Sequence, residues 1–441
     1  MIQLSFPTKK LKKYIKRVNV KLKDTNYNQH DLTVYGVTNT EGITITGNQT
    51  SEDLGNYIVL KENQLAYNPY RVNVGSIGLA PKGLLGLVSP AYIVFETTEE
   101  LSAEFLYYYL KSSLGVNLIK WYGDRGGVRS ALRYNDLCEI DIPDLNLNQQ
   151  MSVLKKMKEV NAEIEEFNNE VHCQEQLISK LRHSILQEAV QGKLVPQDPN
   201  DEPASVLLER IKEEKERLVK EGKIKKEKPL PPISEDEIPY ELPKGWEWTR
   251  IGNLITLRGG KRIPKGYQLK VDPTEHIYIR ITDMKEGTIV DTDLRYIDDY
   301  VYEQIKNYII TKQDLYITIA GTIGQVGIVP DKFHNMNLTE NAARITPHLV
   351  DKIWLKYFLS SPIIQSMLLD KTNQMAQPKL ALKRIQDTVI PLPPLNEQKR
   401  IVEKVGQLMA LCDELEKNIE QSKKDSELLM QSVLQEAFKE A

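Results

Sequence analysis

One short motif has residue types that could hold a nucleobase. In Tyr67-Asn68-Pro69-Tyr70-Arg71, the side-chain oxygen of Asn68 could orient an amino group while Tyr70 stacks on the ring. Positive charge is concentrated in two stretches: residues 1–23 hold eight Lys/Arg and no Asp/Glu, and residues 244–283 hold eight against four. Basic faces of this kind can bind phosphate although the net charge is −3. A solvated surface is the other interpretation, and charge alone favours it.

This motif is similar to the [Asn/Asp]-Pro-Pro-[aromatic] loop of DNA amino-methyltransferases, but one proline is missing. A methyltransferase would also need a Gly-rich cofactor loop after a strand, and none follows nearby. The six histidines and three cysteines form no metal-ligand pattern, and no GxxxxGK[ST] loop occurs. These observations favour a non-catalytic protein without metal. A self-contained DNA amino-methyltransferase stays open as an alternative.

The cysteine pattern and the apolar segments bear on the compartment. The three cysteines stand far apart, which indicates a reducing environment. The longest nearly uncharged apolar run, residues 83–95, is too short to span a bilayer, and the N-terminal residues lack the pattern of a secretory signal. The sequence therefore predicts neither secretion nor membrane insertion.

Three segments recur at a constant offset of 248 residues, which indicates a duplicated element with no net insertion. The pairs are Ile142-Pro143 with Ile390-Pro391, Leu147-Asn148-x-Gln150 with Leu395-Asn396-x-Gln398, and Ser184–Ala189 with Ser432–Ala437. In both copies apolar residues recur in steps of four and three, a heptad pattern typical of helices that pack on one another. These seam positions are Val153, Met157, Val160, Ile164, Phe167, Val171, Ile178, Leu181 and Ile185 in the first copy, and Ile401, Val405, Leu408, Cys412, Leu415, Ile419, Leu429 and Val433 in the second.

The two long helices are expected to pack on each other, because the chain offers neither of them another long heptad partner. Two amphipathic helices lying on separate globular cores are the alternative. Ahead of each helix lies a segment with strand-like runs between Gly, Asn and Pro breaks. We therefore divide the chain into a first head (1–145), a first spacer helix (146–193), a charged and proline-rich linker (194–241), a second head (242–394) and a second spacer helix (395–441).

With this organisation, the chain resembles a specificity (S) subunit of a type I restriction–modification system. The residues that carry the resemblance are Leu242-Pro243-Lys244-Gly245-Trp246-Glu247-Trp248 with Ile251-Gly252, and the stretch from Ile385 to Gln398. The resemblance implies an α+β fold, in which two mixed α/β target-recognition domains are joined by two long antiparallel coiled-coil helices as a pseudo-two-fold repeat. It also implies that each head reads one half of a split DNA sequence, while the helices set the spacing.

The resemblance further implies partners and their cofactors. Double-stranded DNA, two methyltransferase (M) subunits and, in the restriction form, translocase–nuclease (R) subunits are the expected partners, and no membrane is involved. The chain itself would bind no cofactor and catalyse no reaction, whereas S-adenosylmethionine, ATP and Mg²⁺ would belong to the partner subunits. The expected location is the cytoplasm of a prokaryotic cell.

The chemistry of base edges and phosphates indicates which side chains could contact DNA. Arg and Lys suit guanine, Asn and Gln suit adenine, and Lys, Arg and Ser suit phosphate. The candidates are Asn68, Tyr70, Arg71, Ser76, Arg125 and Arg129 in the first head, and Arg258, Lys261, Arg262, Arg280, Gln377 and Lys379 in the second. For each of them a surface charge or a turn residue is the alternative. A structural coiled-coil scaffold that binds only proteins is the third hypothesis for the whole chain.

Overall fold

Two sets of strands, each followed by a long helix, make up the fold. The computed structural model describes residues 7–39, 41–46, 53–72, 75–124, 131–369 and 379–440. The chain divides into two units: unit 1 contains Met1–Cys173 and Asn418–Ala441, and unit 2 contains Gln174–Lys417. Among the described residues, no helix combines the length and apolar character needed to cross a bilayer.

Unit 1 contains the first head and parts of both long helices. Its strands are β1 (Thr8–Lys10), β2 (Ile15–Val18), β3 (Thr33–Thr38), β4 (Gly42–Ile45), β5 (Ile58–Lys61), β6 (Leu65–Tyr67), β7 (Ile77–Leu79), β8 (Leu85–Val88), β9 (Ile93–Thr97) and β10 (Asp141–Pro143). Its helices are α1 (Ala103–Lys111), α2 (Ser113–Gly123), α3 (Tyr134–Cys138) and the first part of α4 (Leu147–Val190).

The strands of unit 1 form three sheets, with orders β1-β10, β2-β9-β6-β7 and β4-β3-β8-β5. Strand β6 is buried throughout because both of its faces are covered. Leu65 and Tyr67 belong to a cluster with Phe105 of α1, whereas Ala66, which points to the other face, packs with Leu60 of the neighbouring sheet. The core of the first head is thus a layer of helices on one sheet and a second sheet behind it.

Unit 2 contains the linker, the second head and the remaining parts of the long helices. Its strands are β11 (Glu247–Arg250), β12 (Ile255–Gly259), β13 (His276–Ile279), β14 (Met284–Lys285), β15 (Thr288–Ile289), β16 (Tyr296–Ile297), β17 (Ile309–Ile310), β18 (Leu315–Thr318), β19 (Val326–Ile328), β20 (Met336–Leu338), β21 (Ala342–Pro347) and β22 (Val389–Leu392). Its helices are α5 (Ala204–Lys220), α6 (Ile251–Leu254), α7 (Asp299–Ile305), α8 (Lys352–Leu359), α9 (Pro362–Leu369), α10 (Leu382–Asp387) and the first part of α11 (Leu395–Glu440).

The two heads share one topology. In unit 2 the sheets have the orders β11-β22, β12-β21-β18-β19 and β16-β13-β20-β17, beside the hairpin β14-β15. Each order corresponds strand for strand to a sheet of unit 1. Even the one parallel pair recurs, since β3 pairs in parallel with β8 and β13 with β20. The internal repeat that the sequence predicts at the spacer helices therefore extends through both heads.

The same buried glutamine joins each head to its long helix. In unit 1 the Gln150 side-chain oxygen accepts from the Ser102 amide at 2.8 Å, and its nitrogen donates to the carbonyls of Glu100 and Leu145 at 2.9 Å. In unit 2 Gln398 accepts from the Asp351 amide at 2.9 Å and donates to the Pro393 carbonyl at 3.0 Å. Ser102 and Asp351 are the N-caps of α1 and α8, so each glutamine ties the start of a head helix to the start of a spacer helix.

The two long helices contact each other inside both units. In unit 2 the Arg182 guanidinium of α4 lies 2.5 Å from Asp413 and 3.0 Å from Glu416 of α11. In unit 1 Ala437 of α11 is buried in the same cluster as Met157 of α4. Contacts therefore move towards the start of α11 as they move towards the end of α4, which is the antiparallel arrangement that the resemblance implies.

Fewer residues are buried between these helices than the heptad pattern predicts. Val171, Ile178 and Ile185 are buried, but Leu181 is 46% exposed and Leu415 is 47% exposed. At 100° per residue, Leu181 lies on the opposite flank of α4 from Arg182. Ion pairs close one flank of the two-helix contact, while the leucines on the other flank remain half exposed.

The linker packs on the second head over much of its length. Helix α5 buries Ala204, Leu207 and Ile211, because its apolar residues recur in steps of three and four. The buried Arg250 of β11 donates to the carbonyls of Pro231 and Pro232 at 2.7 and 2.8 Å. The charged linker therefore contains a helix with one packed face.

Candidate nucleic-acid interface

The turn after β6 contains Asn68-Pro69-Tyr70-Arg71, the motif of the first head that could hold a nucleobase. The Asn68 side-chain oxygen accepts from the Tyr70 amide at 3.0 Å, and its carbonyl accepts from the amides of Arg71 and Val72. This bond closes an Asx turn, so the Asn68 oxygen is used by the fold. The turn leaves the Tyr70 side chain 65% exposed and Arg71 exposed, whereas Ser76 is buried. Tyr70 and Arg71 are therefore the members of this set that are presented to solvent.

Two backbone hydrogen bonds involve the residues that follow the basic segment of the first head. The Leu132 amide donates to the Pro69 carbonyl at 3.0 Å, and the Ala131 amide donates to the Gly123 carbonyl at 3.2 Å. Arg125 and Arg129 belong to the segment between these anchors and lie outside the described residues. Leu132 thus lies next to the Tyr70 turn.

The second head repeats this arrangement at the loop after β18. The Leu380 amide donates to the Ile319 carbonyl at 2.8 Å, and Lys379 pairs with Ala320 in an antiparallel bridge. Leu380 follows Leu132 by the repeat offset of 248 residues, so the same contact is present in both heads. Gln377 lies outside the described residues.

Three of the predicted cations line one cleft in the second head. Lys261, Arg262 and Lys379 surround a cleft of about 560 Å³, together with Gly259 and Gly260. The short connection after β12 positions the first two, because the Gly260 amide donates to Ala342 and the Lys261 amide to Leu338, both at 2.9 Å. The structure thus brings together residues that are more than a hundred positions apart in the sequence.

One acidic side chain, Glu340, reduces the net positive charge of this cleft. Glu340 accepts from Arg262 at 2.5 Å. Burial by itself would raise the pKa of Glu340, but hydrogen bonds from Arg262 and from Thr339 outweigh burial and hold that pKa below its usual value. Lys261 lies over the ring of Tyr308, with its ammonium 5.6 Å from the ring centroid. At neutral pH the cleft thus contains three cations and one carboxylate.

A second cleft begins on the other side of the same glycines. It measures about 510 Å³ and is lined by Arg258, Arg344 and the linker residue Lys225. Arg258 was among the predicted residues, but Arg344 and Lys225 were not. Arg344 lies in the alternating strand Ala342-Ala-Arg-Ile-Thr, where a single arginine between apolar residues was the available signal.

Arg280 is engaged within its own loop. Its guanidinium donates to Asp283 at 2.8 Å and also contacts Asp293, and its backbone amide donates to Asp283 at 2.7 Å. The carboxylates raise the pKa of Arg280 through these hydrogen bonds. The structure places this residue in a turn-stabilising ion pair, apart from the residues that line either cleft.

In the part of the chain that the structure describes, no group of three or more His, Cys, Asp or Glu side chains could hold a metal ion. The charged side chains of the two clefts described above are instead mostly cationic.

Comparison with known proteins points to one family. The model of the type I restriction modification DNA specificity domain matches residues 243–422. The EcoAI specificity subunit of Escherichia coli is 34% identical over 298 residues, which are 64% of this chain and 48% of that protein. The EcoEI specificity subunit of the same species is 33% identical over 289 residues, covering 63% and 48%. The chain spans about half the length of these relatives.

Solved structures give the same indication for the fold. A chain from the type I R-M system, studied for its complex assembly and conformational transition, aligns with a TM-score of 0.63 at 17% identity and covers 98% of this chain and 97% of that one. The HsdS subunit from Thermoanaerobacter tengcongensis aligns with a TM-score of 0.50 at 17% identity, covering 99% and 98%. The fold is therefore shared along almost the whole chain. Residues 243–422 thus match the type I restriction modification DNA specificity domain, and almost the whole chain shares the fold of these solved structures.

Proposed function

We propose that this chain is the sequence-specific DNA-recognition subunit of a type I restriction–modification complex. Each head reads one half of a bipartite DNA target, and α4 and α11 fix the length of the unread spacer. The chain is non-catalytic, and partner subunits carry out methylation and cleavage. The exposed Tyr70 and Arg71 of the first head and the cationic cleft of the second are the surfaces that meet DNA.

The observation that carries this proposal is that one topology occurs twice with different side chains in the corresponding loops. The turn after β6 carries Asn68-Pro69-Tyr70-Arg71, and the corresponding loop after β18 carries Ile319-Ala320-Gly321-Thr322. Individual side chains read the edges of the bases. Two heads that have the same topology but differ in these residues are therefore suited to two different half-sites.

The partners follow from the same proposal. Two M subunits bind the chain and supply S-adenosylmethionine-dependent methylation. In the restriction form R subunits join them and supply ATP- and Mg²⁺-dependent translocation and cleavage. The complex acts in the cytoplasm of a prokaryotic cell.

Methylome sequencing of the source cell, with and without the gene, tests the proposal. We expect a bipartite methylated motif that disappears with the gene. Exchanging residues 1–145 for the corresponding head of another specificity subunit should change one half of the motif and leave the other half intact. Loss of both halves in a well-folded exchange protein would contradict independent heads, and methyl transfer by the purified chain alone would favour the enzyme hypothesis.

A helix-length variant tests the spacer role. Deleting seven residues from each helix at paired positions, 168–174 and 421–427, shortens the two-helix contact by about 10.5 Å. At about 3.4 Å per base pair, we expect the unread spacer to shorten by about three base pairs while both half-sites stay the same. An unchanged spacer in a complex that still methylates DNA would contradict the spacer role, and a scaffold that binds only proteins would yield no motif at all.

A further inference from the structure

Two arginines stand directly opposite each other in the second head. In the antiparallel pair β12–β21, Arg258 is in register with Arg344. Opposite residues of such a pair project from the same face of the sheet, with their Cβ atoms about 5 Å apart. Like charges at this position repel each other and destabilise the sheet. The pair therefore costs stability unless an anion lies beside it.

One carboxylate, Asp314, lies near Arg344 without a hydrogen bond to it, and it balances at most one of the positive charges. The Arg344 Nε lies 3.9 Å from Asp314, beyond hydrogen-bonding distance, and its side chain is 17% exposed. Asp314 already accepts from the Thr311 amide at 2.8 Å and from the Thr346 hydroxyl at 2.5 Å. One hydrogen bond holds the guanidinium, from Nη1 to the Ile309 carbonyl at 2.7 Å.

The half-buried Arg344 remains charged at neutral pH. Burial lowers its pKa from the ordinary value of 12.5, Asp314 opposes that shift and Arg258 adds to it. An arginine keeps its proton at neutral pH despite such a shift. Arg258 itself makes no salt bridge with any described residue, and its one side-chain hydrogen bond is a long one of 3.5 Å to the Lys223 carbonyl.

The cleft in front of these arginines is cationic and includes part of the linker. Lys225 forms one wall, Asn307 and Tyr308 contribute further polar groups, and no described acidic residue lines the cleft. Gly260 allows the backbone to pass close to Thr339, because a Cβ there would lie 2.1 Å from the Thr339 carbonyl oxygen. The site is thus a cavity of about 510 Å³ lined by three cations.

Resting on the proposed function, we propose that the cleft between Lys225, Arg258 and Arg344 binds a phosphodiester group of the DNA backbone. The planar guanidinium fork matches the oxygen atoms of a phosphate, and the phosphate would cancel the repulsion between the two arginines. Gly259 and Gly260 line both this cleft and the cleft of Lys261, Arg262 and Lys379. One DNA strand can therefore follow both clefts, and the linker between the two halves becomes part of the DNA interface.

The linkage between salt and affinity provides the test. Each phosphate contact contributes about 0.9 to the slope of log affinity against log salt, or about threefold in affinity between 50 and 200 mM salt. We compare the full-length chain with K225Q/R258Q, which changes two exposed residues, on duplexes with and without the recognised motif. K285Q, an exposed lysine outside both clefts, is the matched control.

We expect the slope to fall by about 0.9 or more in K225Q/R258Q on both duplexes, while the preference for the motif and the slope of K285Q stay unchanged. R344K keeps the charge and removes the fork, so it should bind DNA less tightly at an unchanged slope. A wild-type slope in K225Q/R258Q would overturn the proposal, and wild-type affinity in R344K would remove Arg344 from the contact. Wild-type protein without any motif preference would instead contradict the proposed function.

Inorganic phosphate separates the two sources of the anion. Thermal melting of the wild-type chain in phosphate and in chloride at equal ionic strength shows whether the cleft takes the free ion. Stabilisation by phosphate that is lost in K225Q/R258Q, together with an altered DNA slope, supports a DNA phosphate site. The same stabilisation with an unaltered DNA slope would assign the cleft to a small phosphate compound and overturn the assignment to DNA.

Discussion

One buried glutamine joins each head to its long helix. Replacing it should destabilise that joint by a free energy that scales with the number of hydrogen bonds lost. Leucine has nearly the volume of glutamine and makes none of these bonds. Q150L loses three hydrogen bonds and Q398L loses two. At about 1 kcal/mol for each bond, and more where an amide is left unpaired, we expect losses of about 3 and about 2 kcal/mol.

The control for this series is Q407L, in which an exposed glutamine of α11 with a single long contact of 3.4 Å is changed in the same way. Its stability should stay within about 0.5 kcal/mol of the wild type. The order of destabilisation should therefore be Q150L, then Q398L, then Q407L.

Hydrogen exchange measured by mass spectrometry suits a chain of two units, because it reports each joint separately. The peptides that contain the amides of Ser102 and Asp351 are the relevant ones. A loss of about 2 kcal/mol should speed exchange at the Asp351 amide by a factor of about 30 in Q398L and leave the Ser102 amide unchanged. If Q150L and Q398L exchanged no faster than Q407L at these amides, the glutamines would not hold the joints.

Three further changes test other contacts. Replacing Arg182 by Met removes the ion pairs with Asp413 and Glu416; we expect a loss of about 1 kcal/mol at low salt that shrinks as NaCl is raised in thermal melts, because both acids are exposed. Burial, with Lys215 nearby, lowers the pKa of His348 to about 4. The unfolded chain takes up this proton below pH 6.5 and the folded chain does not, so stability should fall from pH 6.5 towards 4, and H348Q should flatten that part of the profile. Arg250→Met removes the buried guanidinium that binds the linker carbonyls of Pro231 and Pro232, so trypsin should cleave the linker at least ten times faster.

Local signals explain why the long helices could be predicted from the sequence. A heptad pattern and a motif repeated at a fixed offset can be recognised without knowing the fold of the rest of the chain. The helices α4 and α11 lie where this repeat predicts them. The match of Gln150 with Gln398 was visible as well, but its reason was not. Their partners, Ser102 and Asp351, lie 48 and 47 residues upstream, and no spacing rule connects a helix start to a distant N-cap.

The candidate DNA-binding residues show a second limit of sequence-based prediction. Residue types suited to bases and phosphates are also the types that close turns. Asn68 caps an Asx turn and Arg280 binds carboxylates of its own loop, whereas Arg344, in the middle of a strand, faces a cleft. The pairing of β12 with the distant β21 places Arg344 beside Arg258. Strand pairing between such distant segments produces no periodic pattern in the sequence, so this position could not be predicted.

The packing of the linker determines where an independently folding fragment of the second head must begin. Sequence similarity to the specificity domain starts at residue 243, but truncation there would strip away α5 and uncover the apolar surface on which Leu207 and Ile211 lie. It would also leave the Arg250 guanidinium without the carbonyls of Pro231 and Pro232. A fragment that begins ahead of Val195 keeps these contacts, so the start of the specificity-domain match and the folding boundary differ by some fifty residues in this chain.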